Sequence, residues 1–401
     1  MPEIVSSLRD GAAQKSDFQR VLPWRGDIPR SPAARQMAEM FALADIRING
    51  DRPWDIQVHD PRLYERVFSQ GSLGAGESYM DGWWDVEELD EFFARIHRTE
   101  PYRRVGKWRT LLLALKGRLL NRQTQLRATR VGREHYDLGN QLYQAMLGRR
   151  MQYTCAYWPG ARDLDQAQEN KLFLICRKLH LDRGMSVLDL GCGFGGLAHF
   201  MATEYGCSVV SYNISHNQVA YARELCKGQP VRFEEKDYRE AARETGQFDR
   251  VVAIGLCEHV GYKNYRRFLE LVYSRLKPLG LFLLHTIGSN QSVTSTDEWT
   301  DKYIFAGGML PSIAQLGKAF ECGWVMEDWH NLGPDYDRTL LAWWNNFARA
   351  WSCLRSEYGD RFYRVWRYYL LSSAGSFRAR KLQLWHVVLS KGDIAAYAPV
   401  R

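Results

Sequence analysis

Val187-Leu188-Asp189-Leu190-Gly191-Cys192-Gly193-Phe194-Gly195-Gly196 is the stretch on which the reading of this chain turns. An apolar run ends in four glycines within six positions, and an amphipathic run follows over 197–205. The pattern predicts a buried strand, a tight glycine turn and a helix, with backbone free to press against a ligand that a Cβ atom would push away. The glycines read G-x-G-x-G-G rather than G-x-G-x-x-G, and the acid, Asp189, lies inside the strand end. A dinucleotide site places its acid on the next strand instead. The arrangement here suits the amino-acid half of S-adenosylmethionine, whose ammonium needs a carboxylate and backbone carbonyls. Dinucleotide binding is the competing reading.

Downstream of that motif, strands and helices alternate. Strands are expected at 186–190, 208–212, 231–234, 250–254 and 281–285, with later antiparallel edges at 324–329 and 384–389. Helices fit between, at 217–226 and 264–276, and Lys277-Pro278-Leu279-Gly280 turns into the fifth strand. That alternation implies an α/β domain whose mostly parallel sheet is covered on both faces. Ligands of such sheets sit outside the carboxyl ends of the strands. Strand one ends at Gly191, with Gly193 and Gly195 beyond it. Strand two ends at Asn213, with Gln218 one helical turn on; this pair can bond ribose hydroxyls, and no acid stands there for a nicotinamide cofactor. Strand three leads to Asp237 and Tyr238, an acceptor beside a flat ring, which suits adenine. Strand four ends in Cys257-Glu258-His259-Val260-Gly261 and strand five in His285-Thr286-Ile287-Gly288. Glu258 and His285 thus converge on one mouth, where such a pair can hold or relay a proton near neutral pH. Strand-end polar groups also serve merely to satisfy backbone, the plainer reading of each one alone.

At 401 residues, 45% apolar and 25% charged, the chain has the composition of an ordered globular protein with room for two domains. Its 13% of aromatic residues fits an aromatic-lined cavity as well as an aromatic core. Eight scattered cysteines without a C-x-x-C pair point to reduced thiols in a cytosolic protein, with no zinc site. No apolar run approaches the roughly 20 residues that span a bilayer. Residues 1–34 read as a polar leader without the apolar core of a signal peptide.

The net charge of +8 is concentrated. Between Pro101 and Arg133 stand ten basic residues and no acid, so the rest of the chain is close to neutral. Within 106–133, Trp108, Leu111, Leu112, Leu115 and Leu119 share one helical face, with Lys107, Arg109, Lys116 and Arg118 on the others. That is the pattern of a helix lying on an anionic membrane surface; a linker helix packed on a neighbouring domain is the alternative. No recognition motif accompanies the charge, which argues against nucleic acid. The divisions expected are therefore the leader, an N-terminal domain over 35–105, the basic linker over 106–133 and the strand–helix domain over 134–401. In the N-terminal domain, 41–45 reads as helical, 55–58 as strand-like and 71–84 as a glycine-rich loop closing on Trp83-Trp84.

These residues also carry a resemblance. The glycine motif, Glu258-His259-Val260-Gly261, Leu284-His285-Thr286-Ile287-Gly288 and Asp335-Tyr336-Asp337-Arg338-Thr339-Leu340 resemble the cyclopropane fatty acid synthases. So do His135-Tyr136-Asp137-Leu138-Gly139-Asn140, Gln152-Tyr153-Thr154-Cys155-Ala156-Tyr157-Trp158, Phe377-Arg378-Ala379-Arg380 and the 71–84 segment, in order and from about residue 35 to nearly the C-terminus. The resemblance implies a Rossmann-like class I methyltransferase domain, preceded by a small, mainly helical lipid-binding domain, and often a dimer. It implies S-adenosylmethionine as methyl donor, with Tyr153 and Thr154 joining the cofactor-binding set. It further implies unsaturated phospholipid acyl chains as substrate, met by a cytoplasmic enzyme at the inner face of the membrane. A bound bicarbonate would serve as base, held by Cys155, Glu258, His285, Tyr336 and the Ile287 backbone. Aromatic faces such as Tyr136 and Phe305 would stabilise a carbocation. Family members commonly carry a cysteine just before the Ala-Gly-x-Phe-Arg-Ala-Arg segment; Ser372 and Ser373 stand there in this chain, which rules out a covalent cysteine role. Two other outcomes stay open: a sister reaction giving a methyl or methylene branch, and a catalytically silent lipid-binding protein, against which the intact Glu258, His285 and Tyr336 argue.

Overall fold

The computed structural model describes residues 31–101 and 139–401, apart from 244, 322 and 393–395. Tyr136, the leader to residue 30 and almost all of the basic segment lie outside the described residues.

The chain opens with α1 (Pro32–Leu43), started by the Ser31 side chain, which accepts from Ala34 N, and by proline in its first turn. A two-residue ribbon follows, β1 (Gln57–Val58) paired antiparallel with β2 (Trp84–Asp85), with α2 (Arg62–Met80) between them. Much of the expected glycine-rich loop is therefore helix. Gly71 alone leaves helical geometry (φ 61°, ψ −135°) and folds the two halves of α2 together. A Cβ at Gly76 would overlap the Trp299 indole, so this glycine serves close packing rather than a turn. Next come α3 (Leu89–Thr99), α4 (Asn140–Leu147) and α5 (Leu164–Lys178).

The doubly wound region then runs β3 (Ser186–Leu190), α6 (Gly196–Tyr205), β4 (Ser208–Asn213), α7 (His216–Leu225), β5 (Val231–Glu235), β6 (Phe248–Ile254), α8 (Cys257–Val260), α9 (Tyr265–Arg275) and β7 (Leu276–Ser289). It closes with α10 (Glu298–Tyr303), α11 (Ile313–Phe320), β8 (Trp324–Asn331), α12 (Gly333–Arg378) and β9 (Leu382–Lys391). The seven strands are ordered β5-β4-β3-β6-β7-β9-β8. The first five run parallel, and β9 is antiparallel to both its neighbours. Of the two strands expected as edges, only β8 is one. β9 is interior and buried on both faces, because Leu384, Trp385, Val387, Val388 and Leu389 leave no polar face to offer solvent. Odd positions of β7 face the layer of α5, α6 and α7, and even positions face α9 and α11.

α12 breaks at Gly359 (φ 74°, ψ 160°), and its halves fold back on one another. Tyr336 packs on Phe377 at 4.6 Å, and Asp337 pairs with Arg378 at 3.0 Å. The N-terminal helices dock on this hairpin through arginines. Arg364 donates to the Trp84 carbonyl (3.0 Å) and to Asp85 (2.9 Å); Arg367 reaches the Val86 and Glu87 carbonyls at 2.9 Å; Arg378 meets Asp90 at 2.6 Å and Glu91 at 3.3 Å. Met37, Tyr64, Tyr79, Trp84 and Phe92 share one continuous core with Tyr143, Trp343, Trp366 and Phe377. The N-terminal region is thus packed as part of the main body.

A close seam lies where α3 crosses α12. A Cβ on Gly375 would overlap the Asp90 carbonyl and lie 2.8 Å from Phe93 Cβ. Gly375→Val should therefore destabilise the protein by about 3 kcal/mol, the upper range of over-packing, measured by denaturant unfolding. A variant within about 0.5 kcal/mol of the parent would show that the seam yields.

Candidate active site

The glycine turn delivers two different services. Gly191 (φ 96°) and Gly193 (φ 53°) supply left-handed backbone at the carboxyl end of β3. Gly191 N and Cys192 N both donate to the Tyr212 carbonyl (3.0 and 3.1 Å), which ties the turn to β4. A Cβ at Gly193 would meet no protein atom within 4 Å, so its face is open. Gly195 is left-handed too (φ 80°), and both it and Gly196 are closely packed: a Cβ would lie 2.6 Å from Ala222 Cβ in the first case and 2.5 Å from Gln152 Nε2 in the second.

Asp189 is buried on β3, opposite Ser211 of β4, whose hydroxyl donates to Oδ2 at 3.1 Å. Burial pushes its carboxyl up to about 7. Asn213 Nδ2 donates to Gln218 Oε1 (2.9 Å) and to the Gly193 carbonyl (3.1 Å), so the two expected ribose ligands brace each other and the turn. Asp237 is paired with Arg239 (2.9 Å). Tyr238 packs edge-on to Phe268 at 5.5 Å in the core, with the Arg239 guanidinium 4.9 Å above its ring. It is core as much as it is cleft wall.

On the other side of the cleft, the 152–158 loop is stitched to α12 by Thr339 and by Asp335, whose Oδ1 accepts from Trp158 N at 2.9 Å. Thr339 Oγ1 accepts from Ala156 N (3.1 Å) and Trp158 Nε1 (3.0 Å) and donates to the Asp335 carbonyl (2.7 Å). This seats Cys155 with its sulfur 4.0 Å from the Leu332 carbonyl, at the start of the helix that carries Tyr336. Leu332 N donates to the Leu384 carbonyl (2.7 Å), and Leu384 is the β9 partner of Ile287. Ile287 N in turn donates to Glu258 Oε1 at 2.7 Å. The chain of contacts links Cys155 to Glu258 through Leu332, Leu384 and Ile287 at the carboxyl end of β7, and Tyr336 stands in the first turn of the helix that Leu332 caps. Glu258 Oε2 is buried without a hydrogen-bond partner, and burial raises the carboxyl to about 7. Burial also holds the Cys155 thiol well above its usual range, so it stays neutral.

His285 behaves differently from the expectation of a Glu–His proton pair. Its Nδ1 is hydrogen-bonded with His386 Nε2 at 2.8 Å, across the β7–β9 register. Burial, reinforced by Lys171, depresses it well below the usual histidine range, so it is neutral near pH 7. Tyr153 donates to Tyr369 (3.1 Å), and Thr154 Oγ1 accepts from Lys171 Nζ (2.9 Å). Phe305 packs 5.9 Å from Tyr369 and 6.2 Å from His259. Sequence reasoning missed Lys171, His386 and Thr339. The signal for Lys171 was present: it shares the buried face of α5 with Leu164, Ala167, Gln168, Leu172 and Ile175. His386 likewise interrupts an apolar strand.

Residues 123–387 match the protein-family model described as mycolic acid cyclopropane synthetase. The chain belongs to that family. It is 49% identical over 355 residues to the cyclopropane-fatty-acyl-phospholipid synthase of Escherichia coli K12, covering 88% of this chain and 92% of that one. It is 34% identical over 372 residues to a probable fatty acid methyltransferase of Mycobacterium tuberculosis, covering 90% of this chain and 84% of that one. A mycolic acid cyclopropane synthase solved with SAH and CTAB superposes with a TM-score of 0.61 at 26% identity, covering 66% of this chain and 98% of that one. The fold is that of a class I methyltransferase, and the protein is an S-adenosylmethionine-dependent methyltransferase of this family.

Gly193 tests the cradle. Gly193→Val should cost about 1–3 kcal/mol of stability through its left-handed backbone and abolish S-adenosylhomocysteine binding in calorimetry, with the circular dichroism spectrum retained. Unchanged affinity would mean that the open face of Gly193 does not meet the ligand.

Proposed function

We propose that this enzyme transfers a methylene group from S-adenosylmethionine to a cis double bond of an unsaturated phospholipid acyl chain, closing a cyclopropane ring. The observation that carries the proposal is Glu258, held by Ile287 N with its second oxygen buried and unpartnered, and linked through Ile287, Leu384 and Leu332 to Cys155. An alkene is a poor nucleophile, so the donor has to be a sulfonium. Its π electrons take the methyl group and leave a carbocation; loss of a proton from the added methyl then closes the ring. The surrounding rings suit a cation and keep water from trapping it.

Bicarbonate fits this site on one count and is constrained on another. Glu258 Oε2 lacks a partner, and once ionised it can accept from the hydroxyl of a bicarbonate and take its proton onward. The Ile287 amide, expected to help hold the ion, is engaged by Glu258. When bound, bicarbonate would supply a base for the proton on the added methyl. Cys155 and Tyr336 would orient it with thiol and phenol groups, and neutral His285 with its imidazole. A branched product from the same cation is the second reading, favoured by the likeness to a probable fatty acid methyltransferase.

The decisive measurement is mass spectrometry of lipids from a host lacking the activity. A gain of about 14 mass units with loss of the alkene identifies the cyclopropane; a branch that keeps a double bond identifies the sister reaction. With purified enzyme, turnover that needs ionised Glu258 should rise with pH up to about 7 and level off above it. Glu258→Gln should lose roughly 10²-fold or more and flatten that rise, with cofactor affinity little changed. Near-normal turnover would remove Glu258 from the chemistry.

The lipid substrate also requires a meeting with the bilayer. No helix among the described residues is long and apolar enough to cross a membrane. The reading adopted is peripheral attachment at the cytoplasmic face through the basic segment, where each basic residue near an anionic surface contributes about 1 kcal/mol within a Debye length of about 8 Å. Vesicle binding should then rise with anionic lipid and fall with salt. Changing Arg103, Arg104, Lys107 and Arg109 to Gln should weaken it without altering cofactor affinity. Unaltered vesicle sedimentation would exclude this role for the segment.

A further inference from the structure

α5 carries two buried lysines that are treated in opposite ways. Lys178 is matched by the carboxylate of Asp328, which also holds Arg401 at 2.7 Å. Lys171, two turns earlier on the same face, is fully buried and donates to two neutral oxygens, Gln152 Oε1 (2.8 Å) and Thr154 Oγ1 (2.9 Å). No carboxylate among the described residues pairs with it. Burying an ammonium without a counter-charge costs several kcal/mol, and burial duly depresses Lys171 to about 7.

The location narrows what the missing charge is. The two acceptors belong to the loop that caps the glycine turn. The Gln152 side chain lies against Gly196 at the start of α6, and the Thr154 methyl is 3.2 Å from where a Cβ would stand on Gly255, at the carboxyl end of β6. An ammonium only donates, so Thr154 Oγ1 is the acceptor from Lys171, and the single hydroxyl proton is left for another oxygen. On β3, Asp189 is a second buried charge with only a hydroxyl for company. A buried cation and a buried anion that are not paired with each other thus flank one turn, and the methionine part of the methyl donor is a zwitterion.

We propose that Lys171 is the buried counter-charge for the cofactor's methionine carboxylate, acting through the Thr154 hydroxyl, while Asp189 answers the ammonium. Lys171 is then a positioning residue, because Thr154 makes the contact. The proposal rests on S-adenosylmethionine being the ligand of this cleft.

Calorimetry with the full-length protein and two ligands separates the possibilities. Decarboxylated S-adenosylmethionine keeps the adenosine, sulfonium and amine and lacks only the carboxylate. Lys171→Met should weaken S-adenosylmethionine about ten- to a hundredfold, the range of a charge-assisted hydrogen bond, and leave the decarboxylated ligand within about twofold. Thr154→Val, which removes the hydroxyl with little change of shape, should show the same selective loss, and it decides the matter should Lys171→Met fail to fold. Lys171→Arg should recover part of the preference. Equal weakening of both ligands would overturn the proposal and leave Lys171 a packing residue. A wild-type protein that binds neither ligand would instead overturn the assignment of the methyl donor itself.

Discussion

Arg378 is the contact on which the rest of the architecture leans. Its guanidinium is shared by Asp90 and Glu91 of the N-terminal region and by Asp337 from the opposite half of the hairpin. One cation therefore does two jobs: it closes the hairpin and fastens α3 to it. Burial would otherwise make Asp337 costly to ionise, and its carboxyl is raised even with Arg378 beside it. Tyr336 precedes Asp337 and packs on Phe377, which precedes Arg378. The position of the tyrosine in the cleft is consequently set by an ion pair outside it.

The electrostatics of the cleft follow from the exclusion of water more than from charge pairing. Desolvation raises Asp189 and Glu258 to about 7 and depresses Lys171 to about the same value. His285 and Cys155 are held neutral by the same cause. The charged forms on offer there are few and expensive, which favours chemistry through a cation that aromatic faces tolerate and water does not reach. The scattered salt bridges of the surface have no part in this.

Local patterns showed themselves in the sequence wherever one segment carried the whole signal. The strand at 186–190 was readable to the residue, because an apolar run met a glycine cluster. The glycines at 71–84 misled for a physical reason: Gly74 and Gly76 permit close approach within and against a helix, and composition alone does not distinguish that use from a turn. β9 reads as an edge because it comes last, yet its apolar residues on both sides of His386 require two covered faces. Only resemblance groups Glu258, Cys155, Ile287 and Tyr336: Glu258 meets Ile287 directly, and the path on to Cys155 runs through Leu384 and Leu332, which no spacing rule connects. The His285–His386 bond joins residues 101 apart in the chain and was invisible for the same reason.

The interior place of β9 has a consequence for how the molecule is made. It is the last strand of the described chain, yet it lies between β7 and β8, so β8 has no partner until β9 arrives. A nascent chain still on the ribosome exposes two unfinished sheet edges. The same strand brings His386 to His285 and Leu384 to Ile287 and Leu332, so the candidate site is complete only once this late strand is in place. A copy that stops short of β9 therefore lacks that support for the candidate site, and it carries a sheet that chaperones and proteases can recognise as unfinished.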